Sequence, residues 1–187
     1  MPDPFEKALQ TVPTIRLKTT MARIVPFASL AAKLPPNWLS TSGKRNRFNP
    51  REVHCLYMSA DENIARLEFA RPLVGLPTRR QPVVTFWAKV GLGHVLDLTD
   101  PTILSLLSLS QNDLDAPWHT VGGLTKTQTL GRSVARASSI VAIRYPSVAA
   151  KEAGIVGVNV VIFRERVVAP DSVRILGSDK KPLQNWP

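Results

Sequence analysis

Prolines and glycines, 16 and 10 of them, cut this 187-residue chain into short elements, and that punctuation constrains the fold more than any other feature. Proline removes a backbone donor and glycine adds conformational freedom, so each interrupts regular structure. No repeat, heptad run or low-complexity linker bridges the breaks, which argues against solenoids, coiled coils and a linker-joined pair of domains. The longest strongly apolar stretch, Gly154 to Phe163, has ten residues, about half of what spans a bilayer. With 44% hydrophobic residues, the chain reads as a single α+β domain, a mixed central β-sheet flanked by helices. No secretory signal is visible, since the start carries Asp3 and Glu6 and lacks a continuous apolar segment, and the lone Cys55 fits a reducing, cytoplasmic setting.

Loose alternation predicts a strand over residues 19–26, then a short helix from Ala28 to Leu34 ended by Pro35-Pro36. A polar, basic loop covers 37–52, and Cys55 to Met58 reads as a buried strand. Ser59 and Glu62 have capping-box spacing before a helix that places Ile64, Ala65, Glu68 and Phe69 on one face. Residues 83–90 and 94–98 read as two strands joined by a turn at Gly91 to Gly93. Asp100-Pro101 starts a helix with an apolar stripe of Ile103, Leu104, Leu106 and Leu107. A further helix is predicted over 126–140, with strands at Ile140 to Ile143, Val156 to Phe163 and, more weakly, 172–176.

The formal charge of +10, from 24 basic and 14 acidic residues, permits a nucleic acid, an acidic protein or an anionic small molecule as partner. Lys44, Arg45, Arg47 and Arg51 fall within eight positions, but aromatics make up only 6% of the chain, thin for a single-strand binding surface. His54, His94 and His119 lack the spacing of a zinc site, so no metal is expected. Nor is there a GxSxG elbow, a GxxxxGK[ST] loop or a GxGxxG turn.

Glu68 stands out because a carboxylate on a mainly apolar helix face points at the body of the protein and must find partners there. A buried Glu–Arg pair or a residue at the edge reaching water would satisfy it equally well. Its company narrows the choice: Arg47-Phe48-Asn49-Pro50 ends the basic loop, Tyr57 lies on the next strand and Glu68 on the helix after it.

Those residues resemble the RES-domain family of bacterial toxins, in which a G-R-W-N-P loop, an L-Y-L-S strand and a helical A-x-x-E follow in this order. Here they read Gly43-Lys44-Arg45-Asn46-Arg47-Phe48-Asn49-Pro50, Leu56-Tyr57-Met58-Ser59 and Ala65-Arg66-Leu67-Glu68. Downstream, Asp97-Leu98-Thr99 is similar to the family's D-L-T, Thr127-Gln128-Thr129-Leu130-Gly131 to its T-Q-x-x-G, Tyr145-Pro146-Ser147 to its V-P-S, and Asn159 to Phe163 to its closing N-x-x-L-F strand. Arg23-Ile24 resembles an early Y-R-hydrophobic strand without the flanking aromatics. The boundaries drawn are an N-terminal extension over 1–20 and a RES domain over 21–187.

The resemblance implies an ADP-ribosyltransferase-like fold and a toxin that consumes NAD+ by hydrolysis, phosphorolysis or transfer of ADP-ribose to a protein. Arg23 and Arg47 would take the pyrophosphate, since guanidinium forks bond two oxygens at once. Tyr57 would stack on the nicotinamide or its ribose and present its hydroxyl, and Glu68 would stabilise oxocarbenium character at the sugar, hold a ribose hydroxyl or orient the nucleophile. Ser147 would bond a phosphate or the nicotinamide amide, and Asn159 would orient the Ser147 loop. The implied partner is a cognate antitoxin with an Xre-like helix-turn-helix domain, in a hetero-oligomer that touches DNA only through the antitoxin and has no membrane contact. Two other readings stay open: a basic nucleic-acid-binding module, and an inactive RES-like protein that only binds a partner.

Overall fold

A computed structural model describes residues 3–28, 44–71, 82–119, 122–177 and 179–187. The helices are α1 (Glu6–Leu9), α2 (Glu62–Ala70), α3 (Pro101–Leu106), α4 (Gln111–Asp115), α5 (Lys126–Ala137) and α6 (Val148–Glu152). The strands are β1 (Ile15–Pro26), β2 (Cys55–Ser59), β3 (Val83–Asp97), β4 (Ala142–Pro146), β5 (Val158–Phe163), β6 (Ser172–Leu176) and β7 (Pro182–Trp186). The sheet order is β1-β2-β5-β4-β3-β6-β7, and β1 also pairs with β3. Strands β1, β2, β5, β4 and β3 therefore close on themselves, with β6 and β7 branching from the far edge of β3. The β3–β4 pair is parallel and the others are antiparallel, so the sheet is mixed, as expected.

Alternation along the strands sorts side chains into two large cores. Leu56, Met58, Val160, Ile162 and Ala142 point inside the closed ring, against Met21, Phe86, Val90 and Ile175. Cys55, Val161, Phe163 and Ile143 point the other way, where Phe5 and Leu9 of α1, Ile103 of α3, Leu114 of α4 and Leu130 of α5 cover them. A smaller cluster places Ala65 of α2 on Ala22 and Ile24 of β1. β1 begins at Ile15 and crosses the boundary drawn at residue 21.

Several expectations change. The 83–98 segment is one continuous strand of 15 residues, because β1 runs along one edge of it while β6 and then β4 occupy the other. Its glycines serve close approach: the Gly93 amide donates to Asp171 Oδ1 at 2.6 Å, an atom that a Cβ on Gly93 would meet at 3.3 Å. The cap of α2 is Asp61, whose side chain accepts from the Ile64 amide, while Ser59 stays in β2. The cap at Asp100 and the proline start of α3 are present, but Leu106 faces solvent. The strand expected from Val156 begins at Val158, with Val156 itself exposed, and the one expected at Ile140 begins at Ala142. Apart from Ala28, the helix expected up to Leu34 lies outside the described residues. Helices α1, α4 and α6 and strand β7, each five residues or fewer, were not anticipated. No helix among the described residues is long and apolar enough to cross a membrane.

Candidate active site

The basic loop is held in place by three buried devices. Asn49 is fully buried, and its Nδ2 donates to the Lys44, Pro50 and Val53 carbonyls at 2.9, 3.0 and 3.1 Å. Gln128, the third residue of α5, donates to the Asn46 carbonyl at 2.8 Å and accepts from Arg45 Nε at 3.0 Å. Gly131, one turn on, lets the loop rest directly on the helix: a Cβ there would stand 1.6 Å from the Phe48 carbonyl oxygen. The Thr127-to-Gly131 motif is thus a seat for the loop.

Arg47 leaves this loop into the body of the protein, 7% exposed, and its Nη1 donates to the carbonyls of Leu114 and Ala116 at the end of α4. Carbonyls at a helix C-terminus carry partial negative charge and fix the guanidinium without neutralising it. Arg23 enters where β1 and β2 separate, beyond their one paired register at Ala22 and Ser59. Its Nη1 donates to the Tyr57 carbonyl at 2.9 Å, and its Nε is closed off from solvent with no partner. Burial lowers this guanidinium to about 10, which leaves it charged at neutral pH. Neither arginine has a carboxylate partner among the described residues.

Glu68, on the last turn of α2, is oriented from two elements. Its Oε1 accepts from Ser147 Oγ and from Asn159 Nδ2, each at 2.6 Å. Asn159 is set in turn by Ser59, whose hydroxyl donates to Asn159 Oδ1 at 2.8 Å across the β2–β5 register. Ser147 caps α6, accepting from the Ala150 amide at 3.0 Å. Among the described residues, Glu68 Oε2 has no hydrogen bond and the carboxylate has no ion pair, so the Glu–Arg pair considered from sequence is absent.

These groups surround a cleft of about 300 Å³ lined by Arg23, Arg47, Tyr57, Glu68 and Asn159. All five were singled out from sequence, and Ser147, the sixth, touches the site through Glu68. Three roles differ from expectation. The Asn159 side chain bonds Glu68 and Ser59 where it had been expected to orient the Ser147 loop. The Tyr57 hydroxyl is used within the protein, accepting from the Phe48 amide at 2.9 Å and donating to Asn49 Oδ1 at 2.8 Å; what remains for a ligand is the ring. Burial pushes this phenol well above its ordinary value. Ser147, buried and doubly engaged, positions Glu68 where a direct ligand contact had been expected.

Sequence reading missed other members of the cleft: Tyr145, Trp118, Phe69 and Arg71 line it, and Ser59 supports it. The signal was a period of two. Tyr57 and Ser59, and Tyr145 and Ser147, are polar-tipped residues two apart at the ends of apolar strands, where alternation puts them on one side. Arg71 is tied by a bidentate pair to Glu152 on α6, at 2.8 and 2.9 Å.

A mixed sheet thus brings a carboxylate and two arginines without carboxylate partners among the described residues together at its open seam. The chain belongs to the RES domain family, whose model matches residues 22–184. Its fold is similar to that of a chain in the crystal structure of the M. tuberculosis MbcT–MbcA toxin–antitoxin complex, with a TM-score of 0.63 and 17% identity over 94% of this chain and 92% of that one. No curated protein matches it in sequence.

Proposed function

We propose that this chain is the toxin of a toxin–antitoxin pair and that it consumes NAD+ at the cleft, as an ADP-ribosyltransferase-like enzyme. One observation carries the reading: the buried Arg47 and the half-buried Arg23, without carboxylate partners among the described residues, line a cleft with a carboxylate whose one oxygen is fixed by two donors and whose other has no hydrogen bond among those residues. Arg23 lines the cleft with one described hydrogen bond, to a carbonyl, and a guanidinium left without a carboxylate favours an anionic ligand. A pyrophosphate between Arg23 and Arg47 offers such oxygens.

With the phosphates held there, the nicotinamide-bearing ribose lies toward Glu68. The bond from C1′ to the nicotinamide nitrogen breaks, and its electron pair leaves with the ring, which becomes neutral. C1′ acquires oxocarbenium character, which a fixed carboxylate stabilises more than it stabilises the ground state. A nucleophile then adds to C1′ and loses its proton. Asn159 and Ser147 hold the carboxylate still through this change, so that little reorganisation accompanies charge development. The similar fold in a toxin–antitoxin complex supports an antitoxin as partner, and the charge of +10 favours fast encounter with an acidic one.

The test is product analysis after incubating antitoxin-free protein with NAD+, with and without inorganic phosphate. Release of nicotinamide supports the reading, and free ADP-ribose, a phosphorylated ADP-ribose or a modified protein identifies the acceptor. Protein that neither binds nor cleaves NAD+ contradicts it.

A further inference from the structure

Among the described residues, Tyr145 is the one buried aromatic of the cleft whose polar end the protein leaves unused. It stands on β4 directly opposite Asn159 of β5, and residues opposite each other on neighbouring strands share a face, so it rises beside the group that holds Glu68. Its ring is clamped against Phe48, with centroids 4.6 Å apart, which ties it to the loop carrying Arg47. The residue is 6% exposed, yet its hydroxyl makes no hydrogen bond to any described residue. Among the described residues, the unpartnered side-chain atoms closed off from solvent belong to Arg23, Gln184 and Trp186, so the Tyr145 hydroxyl is open to the cleft that the residue lines.

Buried tyrosines ordinarily satisfy the hydroxyl within the protein, as Tyr57 does on β2. Leaving one open toward two cations is a structural arrangement that a ligand completes. We propose that the Tyr145 hydroxyl is a substrate-binding group that determines specificity, donating a hydrogen bond to a phosphate oxygen of the dinucleotide held by Arg23 and Arg47; the inference rests on the NAD+ reading of the same cleft. Burial raises the phenol above its ordinary value, which keeps the proton in place for donation. Both arginines and Glu68 lie within electrostatic reach of the ring, and of these the cations draw an anionic oxygen toward it.

The experiment compares wild type with Tyr145→Phe, which removes the oxygen and keeps the ring. ADP-ribose binding is measured by calorimetry, NAD+ cleavage as separate kcat and KM, and the thermal midpoint as a control. The expected result is about 10-fold weaker ADP-ribose binding and a similar rise in KM, with kcat within a few-fold and the midpoint unchanged or raised, since no internal bond is lost. Equal binding and KM in the two proteins overturns the proposal, as does a fall in kcat at unchanged KM or a lowered midpoint, which assigns the hydroxyl to chemistry or to packing. If wild type itself neither binds ADP-ribose nor cleaves NAD+, the reading of the cleft fails first, an outcome the wild-type arm reports separately.

Discussion

The two ends of one sheet face differ more than any two domains would. Along the face that β2, β5 and β4 share, Cys55 and Phe163 at one end are covered by helices and belong to the main core. On the same strands and the same face, Ser59, Asn159 and Tyr145 form the wall of the cleft. Between the two ends lie Tyr57, Val161 and Ile143, opposite one another in the register. A period of two therefore builds a rigid apolar floor and a polar site from the same extended segments, and the site inherits its rigidity from the floor. Substitution at the covered end should cost stability, and substitution at the open end should cost activity.

The largest expected effect is at the open end. Glu68→Gln should lower nicotinamide release by about 10³-fold with little change in the unfolding midpoint; loss of fold instead would place Glu68 with the core. At the covered end, Phe163→Ala should destabilise by about 4 kcal/mol in a denaturant titration, through lost burial and the cavity left behind. Gly131→Ala falls between the two ends: with the Phe48 carbonyl in the way, overpacking of about 3 kcal/mol is expected, and any protein that still folds should have a displaced Arg47 and weak activity. Tyr57→Phe strands the Phe48 amide and the Asn49 oxygen, a loss of about 2 kcal/mol that equilibrium unfolding would reveal.

The smallest effect concerns the rim of the cleft, where the Arg71 hydrogen bond holds the Glu152 carboxyl below its ordinary 4.5. A carboxyl depressed in the folded state adds stability that is fully present above the unfolded value and is lost as pH falls through the folded one. Glu152→Gln should therefore flatten the stability profile slightly below about pH 4.5 and leave it unchanged at pH 7 apart from the weak exposed pair.

Much of this organisation is legible in the sequence, for physical reasons that differ by element. Helix α2 is readable because a 3.6-residue period brings Glu68 to the apolar face, and α3 because an Asp-Pro start permits few alternatives. The six candidate residues are readable through their resemblance to the RES family, in order along the chain. Hydrogen-bond direction is not: nothing in the spacing of Tyr57 and Asn49 says that the tyrosine hydroxyl turns back to the loop, or that Ser147 serves Glu68. Gly91 and Gly93 read as a turn because glycine signals turns and close approach alike, and only the Asp171 side chain distinguishes them. Ser59 reads as a cap because its spacing to Glu62 is that of a capping box, while Asp61 lies nearer the helix. Strand β7 and the short helices have too few residues for any period to show.

Arg23 separates the two kinds of region most cleanly, since it lines the cleft with no carboxylate partner among the described residues. The decisive measurement is calorimetric titration of ADP-ribose into wild type and Arg23→Met, with a denaturation curve for each. The account predicts saturable binding to wild type, competed by NAD+ and weakened at least 10-fold in the variant, while the variant is as stable as wild type or more so. Binding that is absent from wild type, or equal in the two proteins, would contradict it.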